Sequence, residues 1–141
     1  MIEENKALVR RFVEEVYNKG NLDSIADFFI QGSFLAGGHA GQIKVMKTAF
    51  PDNNFTIEEM VAEADKVVAR MTVRGTNTGP IAGLPAFGKL ETPIPPTGKQ
   101  TMSTAIYIFT LKDGRIASIN TELDQIGMLR QMGWKITPPN Q

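Results

Sequence analysis

The stretch Ile116–Gly133, IASINTELDQIGMLRQMG, changes its apolar period at Asp124. Before Asp124, apolar and polar residues alternate, as in a strand. After it, Ile126, Leu129 and Met132 recur at helical spacing. A strand that runs straight into a helix leaves little freedom in how the two are placed. The alternation sets Ile116, Ser118, Asn120, Glu122 and Asp124 on one face and Ala117, Ile119, Thr121 and Leu123 on the other. A sheet face with such a polar row is expected to meet water, either as bulk solvent or as a pocket. Asp124 is suited to cap the helix, because its oxygen accepts from the first free backbone N–H groups. A carboxylate in that position can also face a cavity.

The chain of 141 residues is expected to form one domain over residues 1–133, with a loosely held tail over 134–141. Its 15 basic and 15 acidic residues cancel, which argues against nucleic-acid or membrane-surface binding driven by bulk charge. There is no cysteine and a single histidine, His39, so disulfides, Cys-based zinc sites and multi-histidine sites within one chain are excluded. No calcium-loop pattern appears, and no metal or cofactor is expected. Neither a transmembrane run nor a signal peptide is visible, and the expected location is the cytoplasm.

Along the chain, residues 3–19 form an amphipathic pattern with Leu8, Phe12 and Val16 at its centre and Tyr17 at its edge, stopped by Gly20. Asn21 can cap a short second helix that buries Leu22, Ile25, Ala26 and Phe29. The apolar element at 30–38 offers Phe34 as a candidate wall residue. His39 begins a third helix with the stripe Ile43, Met46, Lys47 and Phe50, and reads as an exposed residue near its terminus, with a pocket acid/base role as the alternative. Residues 55–62 and 67–74 alternate about a turn at 64–66, with Met71 a core or pocket-wall residue. Residues 75–100, rich in Pro and Gly, read as a long excursion rather than a strand. Its apolar residues Ile81, Leu84, Phe87 and Leu90 suit a lid or an oligomer contact. Residues 101–111, TMSTAIYIFTL, are apolar on both faces and so read as a central strand, with Thr104 or Tyr107 available to a pocket. Helices first and then two hairpins give an α+β fold. Helices laid across a curved sheet would leave a cavity of the usual apolar kind.

Four segments carry a resemblance. NKALVRRFVEEVYNKGNLD, AFPDNNFTIEEMVAEADKVVARMTVRGTNTG, PPTGKQ and DGRIASINTELDQIGMLRQMG together resemble the SnoaL-like polyketide cyclase family over nearly the whole chain. The resemblance implies the nuclear transport factor 2-like cone, an α+β fold with an apolar pocket, usually dimeric through its sheet. It also implies a cofactor-free intramolecular aldol closure, in which an aspartate at the end of the last strand is the acid/base; Asp124 matches it. Asn77 stands where relatives often carry a histidine.

On this basis Asp124 is the expected catalytic residue. Tyr17, Phe34, Met71, Thr104, Tyr107, Asn120 and Glu122 are the expected contacts to a small apolar substrate. The alternative is a binding or dimerising module of the same fold in which Asp124 only caps. A third reading, an epoxide hydrolase, would pair Arg70 with Asp124, with Glu122 as a weak second carboxylate.

Overall fold

The computed structural model describes residues 1–84 and 88–140. The first helix, α1, spans Ile2–Phe12 and buries Val9 and Phe12 completely. It widens into a π-helical turn over Val13–Asn18, in which the Lys19 N–H reaches back five residues to the Glu14 carbonyl at 2.9 Å. The sequence pattern joins the two as one helix. The structure adds that its last turn is distorted, and Tyr17 lies in that turn. Gly20, at φ 68°, ends it.

A 3₁₀ helix follows over Leu22–Phe28. Asn21 does not cap it with its side chain; the Ser24 hydroxyl instead donates to the Asn21 carbonyl at 3.0 Å. Helix α2 runs Leu35–Ala49, four residues further toward the N-terminus than the expected start at His39. The extension takes in Gly37 and Gly38, which the composition alone reads as loop.

Strands β1 (Asn54–Glu63), β2 (Lys66–Thr76), β3 (Ile81–Leu84), β4 (Gly88–Ile94), β5 (Gln100–Lys112) and β6 (Arg115–Leu123) precede a last helix, α3 (Gln125–Gln131). The main sheet is antiparallel in the order β1-β2-β5-β6, so β5 is internal, as its two apolar faces imply. The expected loop at 75–100 is in large part a second, two-stranded sheet of β3 and β4. Phe87 lies outside the described residues. Asn77 fixes the base of this arm. Fully buried, its Nδ2 donates to the Ala49 and Gly79 carbonyls and its Oδ1 accepts from the Thr97 N–H and hydroxyl, at 2.9–3.1 Å. Gly79 passes so close to α2 that an added Cβ would collide with the Thr48 carbonyl.

Two bulges break the simple alternation. In β1 the register slips between Ile57 and Glu59. In β6 Ile116 pairs with Leu111 and Ser118 with Thr110, which leaves Ala117 as the extra residue. The slip lets Ile116 share the inner face with Ile119, Thr121 and Leu123, although it is an odd number of residues from each. Helices and the concave sheet face together bury Phe12, Phe28, Phe29, Met71, Phe109 and Ile116. Phe12 meets Phe28, Phe29 and Phe109 edge-on at 5.3–6.1 Å. A second cluster, Phe50, Ile81, Leu84, Met128, Leu129 and Met132, locks the β3–β4 arm and α3 to the end of α2. The result is an α+β cone with a curved antiparallel sheet and helices across its hollow side.

Candidate active site

Between α2 and the inner faces of β2, β5 and β6 lies a hollow of about 480 Å³. That volume suits a small organic molecule. Ile43, Met46, Val73, Ala105, Ile119 and Met128 give it apolar walls. Polar groups gather in two places.

The first is a bond of 2.6 Å between the Tyr17 hydroxyl and His39 Nε2. The π-helical turn brings Tyr17 in, and α2 brings His39, one turn before Ile43. Tyr107, from β5, completes the group, its ring 5.7 Å from that of Tyr17. Burial holds the His39 imidazole down at about 4. It raises the Tyr17 phenol well above its usual value, with Tyr107 adding to the effect, and lifts Tyr107 to about 12. At neutral pH the site therefore holds a neutral imidazole and two protonated phenols. The Tyr107 hydroxyl has no hydrogen-bond partner among the described residues, so it is free to donate into the hollow.

The second is Asn53, 7 % exposed, in the turn that leaves α2. Its Oδ1 is buried with no hydrogen-bond partner among the described residues. Such an orphaned acceptor costs about 1–3 kcal/mol. Lys47 secures only the backbone here, through its Nζ on the Asn18 and Asn53 carbonyls at 3.0 and 3.4 Å.

Of the residues expected from the sequence, Tyr17 and Tyr107 face the hollow. The others lie elsewhere. Phe34 is 97 % exposed, before the first turn of α2. Met71 is fully buried in the core and does not line the hollow. Thr104 lies on the outer sheet face, opposite the buried Ala105. Asn120 and Glu122 border the rim, but they alternate with Ile119, Thr121 and Leu123 and so point to the outer face. The β6 bulge is the reason: it shifts the inner face from the even-numbered to the odd-numbered residues after Ala117. Asp124 is exposed, and its carboxylate accepts from the Gly127 N–H at 2.8 Å as the cap of α3. Its neighbours Leu123 and Gln125 line the hollow and it does not, so the expected view of this carboxyl into the cavity is not observed. Arg70 pairs with Glu59 at 3.0 Å on the outer face, so it is not placed beside Asp124 as the epoxide-hydrolase reading requires.

His39, expected as an exposed residue near a helix terminus, instead lines the hollow; the signal that could have shown it is that it extends the stripe of Ile43, Met46 and Phe50 back by one turn. Gly37 and Gly38 hid that turn by making it look like loop. Asn53 had no comparable signal; its importance shows only once its partners are counted.

Residues 7–132 match the family model for SnoaL-like polyketide cyclases. The chain belongs to the SnoaL-like polyketide cyclase family. Among solved structures, TsrD from Streptomyces laurentii is 24 % identical, with a TM-score of 0.72 and 93 % and 96 % of the two chains covered. A protein assigned as a SnoaL-like polyketide cyclase from Jannaschia sp. CCS1 is 21 % identical, with a TM-score of 0.77 and 98 % and 95 % covered. A SnoaL-like polyketide cyclase from Agrobacterium tumefaciens is 16 % identical at a TM-score of 0.70, with 92 % and 98 % covered. These identities establish a shared fold, the nuclear transport factor 2-like cone. No match is found among curated proteins. Within this SnoaL-like chain, the phenols and the imidazole that meet in the hollow come from the π-helical turn after α1, from α2 and from β5, whereas Asn120 and Glu122 of β6 turn away from it.

Proposed function

We propose that this SnoaL-like protein performs acid/base chemistry on a small apolar carbonyl compound, closing a ring by intramolecular aldol addition or shifting a double bond. The observation that carries the reading is the 2.6 Å contact between Tyr17 and His39 in the wall of the hollow, with the free Tyr107 hydroxyl beside it. A carbonyl oxygen placed near the two phenols would accept their hydrogen bonds as negative charge develops on it. With Tyr17 turned to the substrate, His39 Nε2 takes the proton from the carbon next to that carbonyl. The enolate carbon then attacks a second carbonyl, and the resulting alkoxide takes the proton back from His39. Protons balance, and the ring bond is the only bond gained between heavy atoms. An imidazole held near 4 is a weak base, so the fitting substrate has a carbon acidified by two flanking carbonyls.

The test is turnover of fused-ring 1,3-dicarbonyl esters by His39→Gln and Tyr107→Phe. Loss of about 100-fold or more in kcat/KM for His39→Gln is expected from removing a general base. Wild-type rates in that variant would overturn the assignment.

A second reading keeps the acid/base role on Asp124, favoured by its place between the pocket-lining Leu123 and Gln125. Asp124→Asn separates the two, because it keeps the cap and removes the carboxylate. A binding module with no chemistry would leave all three variants equal to wild type. We also propose a homodimer through the outer sheet face, where Val61, Met102, Ile106 and Ile108 are exposed.

A further inference from the structure

The hollow has a second polar end that the acid/base chemistry does not use. Asn53 reaches it from the turn after α2, next to Gly75: a Cβ built on Gly75 would lie 3.4 Å from the Asn53 Cβ. Gly75 pairs with Thr101 on β5, and the neighbouring Val73 pairs with Ser103. Thr101 and Ser103 both line the hollow, and neither hydroxyl has a hydrogen-bond partner among the described residues. Three neutral hydrogen-bonding side chains thus converge with nothing to bond, and one of them, Asn53, is 7 % exposed with its Oδ1 orphaned. Tyr107 is four residues from Ser103 and six from Thr101 along β5, roughly 13 and 20 Å of strand. Ala105 faces the hollow between them.

The geometry points to a distal subsite, formed by Asn53, Thr101 and Ser103, that binds a hydroxyl group at the end of the substrate remote from its reacting carbonyl. A hydroxyl is the group that answers a carboxamide, since it donates to Oδ1 and accepts from Nδ2. The trio itself carries no charge, and Arg74, which borders the hollow beside Gly75, is exposed in the outer-face register opposite Met102, so the group the trio recognises is neutral. The substrate class narrows to an elongated, apolar, hydroxylated carbonyl compound, bound with its carbonyl toward Tyr17 and Tyr107 and its hydroxyl toward Asn53. The inference rests on the proposed function only for which end reacts; the subsite itself is a matter of binding.

The experiment uses ketones that the enzyme does not turn over. Indanone, tetralone and tetrahydrophenanthrenone are each compared with the analogue carrying a hydroxyl on the ring carbon most remote from the carbonyl, by isothermal titration calorimetry on the full chain. In at least one pair the hydroxylated member is expected to bind about five- to tenfold more tightly. Asn53→Leu should abolish that preference, and Thr101→Val and Ser103→Ala should each reduce it. Asn53→Leu should also melt no lower than wild type without ligand, because it removes an orphaned acceptor, whereas a purely structural Asn53 would lower the melting temperature. Equal affinities within every pair, or a preference that survives Asn53→Leu, would overturn the subsite and leave the acid/base proposal standing. Failure of every ketone to bind would overturn both. Binding with the hydroxyl preference intact, together with full activity in His39→Gln, would overturn the acid/base assignment alone.

Discussion

His39 is neutral because the fold withholds water from it, and this has a cost that depends on pH. The unfolded chain takes up a proton at its ordinary value of 6.5, while the folded chain refuses it until about 4. Between those values the unfolded state binds more protons, so stability falls as pH falls from 6.5 toward 4 and then levels off. The full shift corresponds to about 3 kcal/mol. Urea titrations from pH 7 to pH 4 should show this loss, and His39→Gln should remove most of it. Activity should follow the imidazole in the same direction: kcat/KM is expected to fall on acidification with a limb near pH 4, and a limb at 6.5 would place the imidazole in water. Asn77 works by satisfaction rather than charge. Asn77→Ala removes four hydrogen bonds from a fully buried side chain at the base of the β3–β4 arm, and a loss of about 2–4 kcal/mol is expected in thermal or urea unfolding.

At the level of elements, α2 combines demands that pull against each other. It must carry His39, Ile43 and Met46 on one face, yet its first half contains Gly37, Gly38 and Gly41. A Cβ at any of these would meet nothing within 4 Å. Gly37→Ala and Gly41→Ala should each stabilise the protein by about 1 kcal/mol, read as a raised urea midpoint. A fall instead would mean that the glycines are needed for the helix to pack. The same helix shows what the sequence could and could not convey. The stripe of Ile43, Met46 and Phe50 was legible, and with it the helix. So were α1, the β1–β2 and β5–β6 hairpins with the Asp113–Gly114 turn, and the capping of α3 by Asp124, because each depends on local period or turn chemistry. The β3–β4 arm was not legible, because proline and glycine punctuation masked short strands whose burial comes from α2 and α3. In the site, period put Tyr17 at the edge of its apolar stripe, but the two apolar faces of 101–111 left the choice between Thr104 and Tyr107 to the sheet register. Asn120, Glu122 and Asp124 could not be placed by period, because a one-residue bulge lies between them and the start of their strand. Phe34 and Met71 are apolar residues whose setting is decided by tertiary contacts.

For the whole molecule, the outer sheet face is the surface left unexplained by a single chain. Val61, Met102, Ile106 and Ile108 are 36–62 % exposed on a face that otherwise carries Arg70, Glu59 and Thr104. If two copies meet there, Ile106→Lys together with Ile108→Glu should halve the mass seen by light scattering and leave the far-ultraviolet circular dichroism unchanged. An unchanged mass would move the interface elsewhere or show that the chain acts alone. Ile106 and Ile108 do not line the hollow, so such a monomer should keep its ligand binding.

The extra residue at Ala117 has a consequence for how relatives of this protein can diverge. One strand sequence holds two complete sets of side chains, an oily set and a hydrogen-bonding set, and the position of a single slip decides which set the guest molecule meets. Sliding that slip toward Asp124, by one deletion near Ala117 and one insertion near Leu123, would exchange Ile119 and Thr121 for Asn120 and Glu122 while leaving all four of those residues unchanged. A new chemical preference could thus arise without a series of substitutions.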